Sequence, residues 1–316
     1  MSEIQILSAR EVPLGGVRAL NVRRTIPHRD RSFVGAWCFC DHYGPTPVKA
    51  GNEGGMDVPP HPHTGLQTVS WLFEGEIEHR DTGGVIAKVR PGEMNLMSAG
   101  AGIAHSEVST AATSILHGVQ LWVVLPDADR HGERGFQHHV PEPAPLPGAA
   151  GTALVFVGSL AGVDAAPVHS FTPLLGAQLD LVPGATCVLE IDPSFEYGIL
   201  LDRGELSVNG TALAYADLAC LEPGERTLTL TAGPGPVRLI LLGGEPFTEE
   251  IVMWWNFVGR THDEIVAFRE EWQAHGDRFG EVPGYVGTTD RIPAPQLPNV
   301  RLKTRNRRGS SYGERR

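Results

Sequence analysis

At 316 residues and 41% hydrophobic content the chain is long enough for two cores, and its 38 glycines and 25 prolines favour short strands and turns over long helices. The net charge is −11, and the last sixteen residues carry seven Lys/Arg against one Glu, so the remaining body stands near −17 and direct nucleic-acid binding by it is excluded. Four cysteines make no disulfide framework, the first residues lack a charged start followed by an apolar stretch, and no apolar run approaches eighteen residues; buried free thiols, no secretion signal, no membrane span and a cytoplasmic location are expected.

Residues 4–25 alternate weakly and read as one or two edge strands. Residues 32–45 form a strand running into a turn, in which His42 beside Asp41 is expected to cap the turn. A Gly/Pro-rich loop, 46–60, delivers the chain to His61. Strands at 66–73, 75–80 and 84–89 follow, separated by the hairpin turns at Glu74-Gly75 and 81–84, with His79 expected to be exposed. The turn Arg90-Pro91-Gly92-Glu93 leads into a strand at 94–99, and Gly100-Ala101-Gly102 brings the chain to His105. A long strand, 116–125, ends at Pro126-Asp127; its His117 and Gln120 face opposite sides, so only one of them can back a site next to it. Turn signals at this spacing predict a β-sandwich or small barrel.

The Pro-rich segment 141–148 is the clearest linker, and the same style returns after it as short strands between 153 and 242. Leu72-Phe73-Glu74-Gly75-Glu76-Ile77 rhymes with Leu201-Asp202-Arg203-Gly204-Glu205-Leu206, and 90–93 rhymes with Glu222-Pro223-Gly224-Glu225. This suggests an internal repeat whose second copy has no histidine between His169 and His262. From 249 to 279 the period changes to three and four, with Thr261 or Asp263 able to cap a helix running to His275. Trp254, Trp255 and Trp272 make that segment too aromatic for solvent, so it should pack back on a barrel, the first one being expected.

The chemistry sits in two stretches, Pro60-His61-Pro62-His63-Thr64-Gly65 and Ile103-Ala104-His105-Ser106-Glu107. Each carries two metal-competent side chains at i and i+2, which share one face of a strand. Neighbouring strands lie about 5 Å apart, a gap that one ion can bridge. The expected metal ligands are therefore His61, His63, His105 and Glu107. Three imidazoles and a carboxylate, without thiolate, suit iron, nickel, copper, manganese or zinc with positions left open for a substrate. Either pair alone reads as readily as a surface turn or a partly buried histidine; it is the two together, joined by strand-rich sequence, that point to a metal. His138-His139 is not a ligand pair, since adjacent strand residues point apart. Phe33, Met56 and Trp71 are expected to wall a pocket above the metal.

The run from His61 to Gly75 resembles the first motif of the pirin family of cupins, and 98–107 and 117–123 are similar to the same family's later motifs. The resemblance spans about 10–285 and implies an all-β bicupin with a metal, often iron, in the first barrel only. On that reading the chain divides into a first cupin barrel (1–135), a second without metal (136–248), a helical segment (249–290) and a basic tail (291–316). Where many cupins take a carboxylate from their first motif this chain has the neutral Gln67, so Glu107 must supply the charge, as the pirin pattern implies. The implied activity is Fe(II)-dependent dioxygenation of a flavonol such as quercetin, with Zn, Ni, Cu or Mn as other candidate metals. Glu107 is the expected catalytic residue, a small aromatic compound and O2 are the partners, and the chain is expected to be a monomer. The alternative is a metal-dependent redox sensor that binds a regulatory protein partner.

Overall fold

A computed structural model describes residues 4–14, 20–49, 51–287 and 289–310, so residues 1–3 and the end of the basic tail, 311–316, lie outside the described residues. The chain forms two units, each of one seven-stranded and one four-stranded antiparallel sheet. In the first unit the large sheet runs Gly135–His139, Met94–Ser98, Leu66–Glu74, Ile115–Val124, Trp37–Pro47, Leu20–Ile26, Arg10–Leu14. Facing it are Asp57–His63, Ile103–Ser109, Ile77–Asp81 and Ile86–Val89. The second unit repeats this order strand for strand: Leu218–Leu221, Glu196–Arg203, Val237–Gly244, Leu174–Leu181, Gly151–Gly158 and Ala144–Pro145 in the large sheet. Its small sheet is Thr186–Glu190, Thr227–Ala232, Leu206–Val208 and Thr211–Leu213. This is the two-barrel cupin architecture, with the internal repeat in its frame.

The shared order shows which rhymes in the sequence are equivalent. Gly75 (φ 96°) and Gly204 (φ 88°) both turn the chain from the large sheet into the small one, a left-handed conformation that disfavours any side chain. The two Pro-Gly turns are not equivalent: 90–93 precedes the strand Met94–Ser98, whereas 222–225 follows Leu218–Leu221, the counterpart of that strand. A second departure is at the N-terminus. Gln5–Leu7, read as an edge strand of the first unit, pairs instead with Leu218–Cys220 in the second. It fills the place that Gly135–His139 fills in the first unit, covering an edge that would otherwise be open.

One hydrophobic cluster spans both units and includes Trp37, Trp71, Phe156, Leu200 and Leu242. Trp37 and Trp71 each reach across it, donating to Leu175 O (3.1 Å) and to Gln178 Oε1 (2.8 Å). Phe33, edge-on to Phe247, is likewise buried between the units. Phe33 and Trp71 are therefore not pocket walls; of the three expected, only Met56 lines the pocket.

The α-helix His262–Gln273, alone of its kind among the described residues, starts where Thr261 and Glu264 cap each other's backbone N–H in a capping box. Its buried Ile265, Phe268 and Trp272 pack with Phe257, Phe279 and, from the first barrel, Ala104. The hairpin Val252–Trp254/Phe257–Gly259 that precedes it docks on the first barrel: Phe257 bridges Thr64, and Val258 N donates to Thr64 O (3.2 Å). The C-terminal segment thus touches the chain immediately after His63. No described helix is long and apolar enough to cross a membrane.

Candidate metal centre

Asp57–His63 and Ile103–Ser109 are adjacent antiparallel strands, with His105 opposite His61 and Ile103 opposite His63. Past His105 the register slips, and Glu107 pairs with Val58. The extra residue falls at Pro59-Pro60, which have no N–H to give to a ladder and so suit a bulge. The bulge leaves the Pro59 carbonyl to accept from His61 Nδ1 (2.9 Å), which turns the Nε2 lone pair of His61 inward.

His61, His63 and His105 are buried, and one nitrogen of each lies within 4.8 Å of those of the other two. The Nε2 atoms of His63 and His105 are 3.1 Å apart. Burial is the main reason that all three are hard to protonate, with His61 lowered to about 4 and His63 and His105 well below their usual value. Three neutral nitrogens converging out of water form a donor set that fits a divalent transition metal. Glu107 is buried beside them and lines the same cavity, but does not share the mutual distance of the three histidines. Burial pushes its carboxyl above the usual range. Ser70 Oγ stands 3.0 Å from Glu107 Oε1 and 3.0 Å from Gln120 Oε1.

The site opens into a cavity of about 260 Å³. Phe39 and Trp122, stacked at 4.0 Å, form one wall, and Met56, Val58, Trp255 and Ile292 add apolar surface. Arg24 lies over the Phe39 ring, its charge held by a two-pronged contact to buried Asp41 (2.7 and 2.8 Å). Trp255, at φ 52°, makes the tight turn that sets Asn256 at the cavity. The Asn256 backbone lies close enough to favour a protonated His63 and so opposes the effect of burial, although His63 Nδ1 finds no partner in good hydrogen-bond geometry.

In the second barrel the two equivalent strands turn Cys187, Leu189, Leu228 and Leu230 inward, all buried in one apolar cluster. The four cysteines are free and buried.

Several histidines sit elsewhere than the sequence suggested. His79 is buried, not exposed; its Nε2 meets Asp81 Oδ2 (3.0 Å) and its Nδ1 faces His105 Nδ1 (3.3 Å). Its signal was the spacing His79-x-Asp81, a third i, i+2 polar pair. His42 caps no turn but lies in mid-strand, buried. Of the two residues on 115–124, Gln120 faces the site and His117 the second barrel. His42 and His117 both close on Asp202 Oδ1 of the second barrel, at 2.7 and 2.6 Å. That trio also has metal-like spacing, but Arg238 grips the other Asp202 oxygen (2.6 Å) and Arg23 donates to His42 Nδ1 (3.1 Å). The Arg238 guanidinium already neutralises the carboxylate, so the trio reads as a clasp in which His42 and His117 of the first barrel hold Asp202 of the second.

The metal-free protein should show the depressed histidines in its stability. Unfolded, His61 takes a proton near its ordinary 6.5; folded, only near 4. Between those values the unfolded chain binds more protons, so stability is complete above about pH 6.5 and declines toward pH 4. His61 alone accounts for on the order of 3 kcal/mol, and His63 and His105 act in the same direction. Thermal melts of chelator-treated wild type should therefore fall more steeply across that interval than those of His61→Ala; equal slopes would contradict a His61 held neutral by burial.

Two family models match the chain, "Pirin" over residues 19–123 and "Pirin C-terminal cupin domain" over 176–280. A Pseudomonas aeruginosa protein named "Putative quercetin 2,3-dioxygenase" is 42% identical over 93% of this chain and 91% of its own length. A Caulobacter vibrioides "Pirin-like protein" is 35% identical over 85% of this chain and 92% of its own. The crystal structure of an Acinetobacter baumannii quercetin 2,3-dioxygenase superposes with a TM-score of 0.87 at 38% identity, covering 95% of this chain and 97% of that one.

Proposed function

We propose that this chain, which belongs to the pirin family, is a metal-dependent dioxygenase acting on a flavonol or related phenolic, with His61, His63, His105 and Glu107 as the ligands of one Fe(II) ion. The observation that carries the proposal is the juxtaposition of three inward imidazoles and a carboxylate with an aromatic-walled cavity. A redox sensor would have no use for such a cavity, whereas a flat aromatic substrate can lie against Phe39 and Trp122. The names of the P. aeruginosa and A. baumannii relatives support the same substrate class.

The ion, when bound, supplies Lewis acidity and access to O2 chemistry. The protein's own residues orient the substrate and manage its proton. Apolar surface from Met56, Val58 and Ile292 excludes water from one side of the ring. Glu107 is suited to take a ring-hydroxyl proton, because burial makes its carboxylate a stronger base than an exposed one. Ser70 adapts to either state. It donates to Glu107 Oε1 when that carboxylate is ionised, and can accept from a protonated Glu107 while donating to Gln120 Oε1.

Anaerobically purified protein loaded with Fe(II) should consume O2 when given quercetin, in step with loss of the flavonol absorbance. Absence of uptake with every phenolic tried, from protein carrying its metal, would overturn the enzyme reading in favour of a regulatory protein partner.

A further inference from the structure

The three histidines are held from behind in different ways. His61 donates to a backbone carbonyl and His63 stands near one, but behind His105 there is a second imidazole and, behind that, a carboxylate. We propose that Asp81 and His79 are positioning residues that set the tautomer of His105, and through it the metal affinity of the site; this rests on the ligand set proposed above.

The logic runs inward from Asp81, which is buried at the tip of the hairpin Ile77–Asp81/Ile86–Val89. Its Oδ1 accepts from the backbone N–H of Gly83 (2.8 Å) and Val85 (3.2 Å), and its Oδ2 faces His79 Nε2 (3.0 Å). A carboxylate can only accept, so the His79 proton sits on Nε2 and Nδ1 carries a lone pair. That lone pair faces His105 Nδ1 at 3.3 Å, so His105 places its proton on Nδ1. His105 Nε2 is then bare, 3.1 Å from His63 Nε2, where an ion would be held. The anion at the far end also raises the donor strength of His105, as outer partners of metal-bound histidines do.

The hairpin turn makes the chain reversible by one atom. In Asp81→Asn the two backbone N–H groups keep the amide oxygen at the Oδ1 position, so the amide nitrogen must face His79. It donates to Nε2, the His79 proton moves to Nδ1, and His105 must accept there and carry its own proton on Nε2. The site loses a lone pair although none of its ligands has changed. In His79→Asn the side-chain oxygen can occupy the place of Nδ1 and accept from His105 Nδ1–H whatever residue stands at 81.

The test combines Ni2+ calorimetry on full-length, metal-stripped protein with nitrogen-15 spectra of the imidazoles. Asp81→Asn should weaken Ni2+ binding by about 10–100-fold and move the His105 proton from Nδ1 to Nε2. The double variant His79→Asn/Asp81→Asn should recover most of the affinity and the original tautomer, which repair of a merely structural defect would not do. Wild-type affinity and tautomer in Asp81→Asn, or a double variant as weak as the single one, would overturn the proposal. If the wild-type chain bound no Ni2+, the ligand set itself would fail, and the spectra of the metal-free protein would still report whether the tautomer chain exists.

Discussion

Glu107→Gln should keep its ion and lose about 10²–10⁴-fold in turnover, the usual worth of a positioned general base. The amide retains an oxygen for coordination and for the Ser70 hydroxyl, and the three histidines are untouched. What it cannot do is accept a substrate proton, and it removes a negative charge from a buried site where charge is poorly screened. O2 uptake per bound metal on a flavonol, with wild type as reference, isolates this effect from metal loss. A variant that turned over normally per metal would reduce Glu107 to a ligand and move the base elsewhere, Gln120 and Ser70 being unable to serve.

The parts of this site legible in the sequence were those fixed by local geometry. His-x-His and His-x-Glu share strand faces through the two-residue period, whatever the rest of the chain does. Their meeting needed only that the two strands be neighbours, which they are. The residues misread were those whose surroundings are set by distant chain. His79 follows a hairpin turn and looks solvent-facing, but its pairing opposite Glu107 turns it into the barrel. His42 lies 160 residues from Asp202, a partner that exists only because the second barrel packs there. Trp71 and Phe33 look like pocket walls until the apolar surface between the barrels claims them. The second Pro-Gly rhyme was a chance likeness of two turns, separable from the true repeat only by strand order. Chain order gave no hint that Gln5–Leu7 would leave its neighbours for the second barrel.

The second large effect is on the metal itself. His61→Ala together with His105→Ala removes two of three inward nitrogens from one strand pair and leaves His63 and Glu107, too few donors to hold an ion against water. The equivalent strands of the second barrel offer only Cys187, Leu189, Leu228 and Leu230, so no site there should compensate. Elemental analysis of protein loaded with Fe(II) under anaerobic conditions, wild type beside the double variant, therefore tests the central claim of a single centre between these two strands. One iron per wild-type chain and essentially none in the folded double variant is the expected result; two per wild-type chain, or iron retained in the double variant, would contradict it.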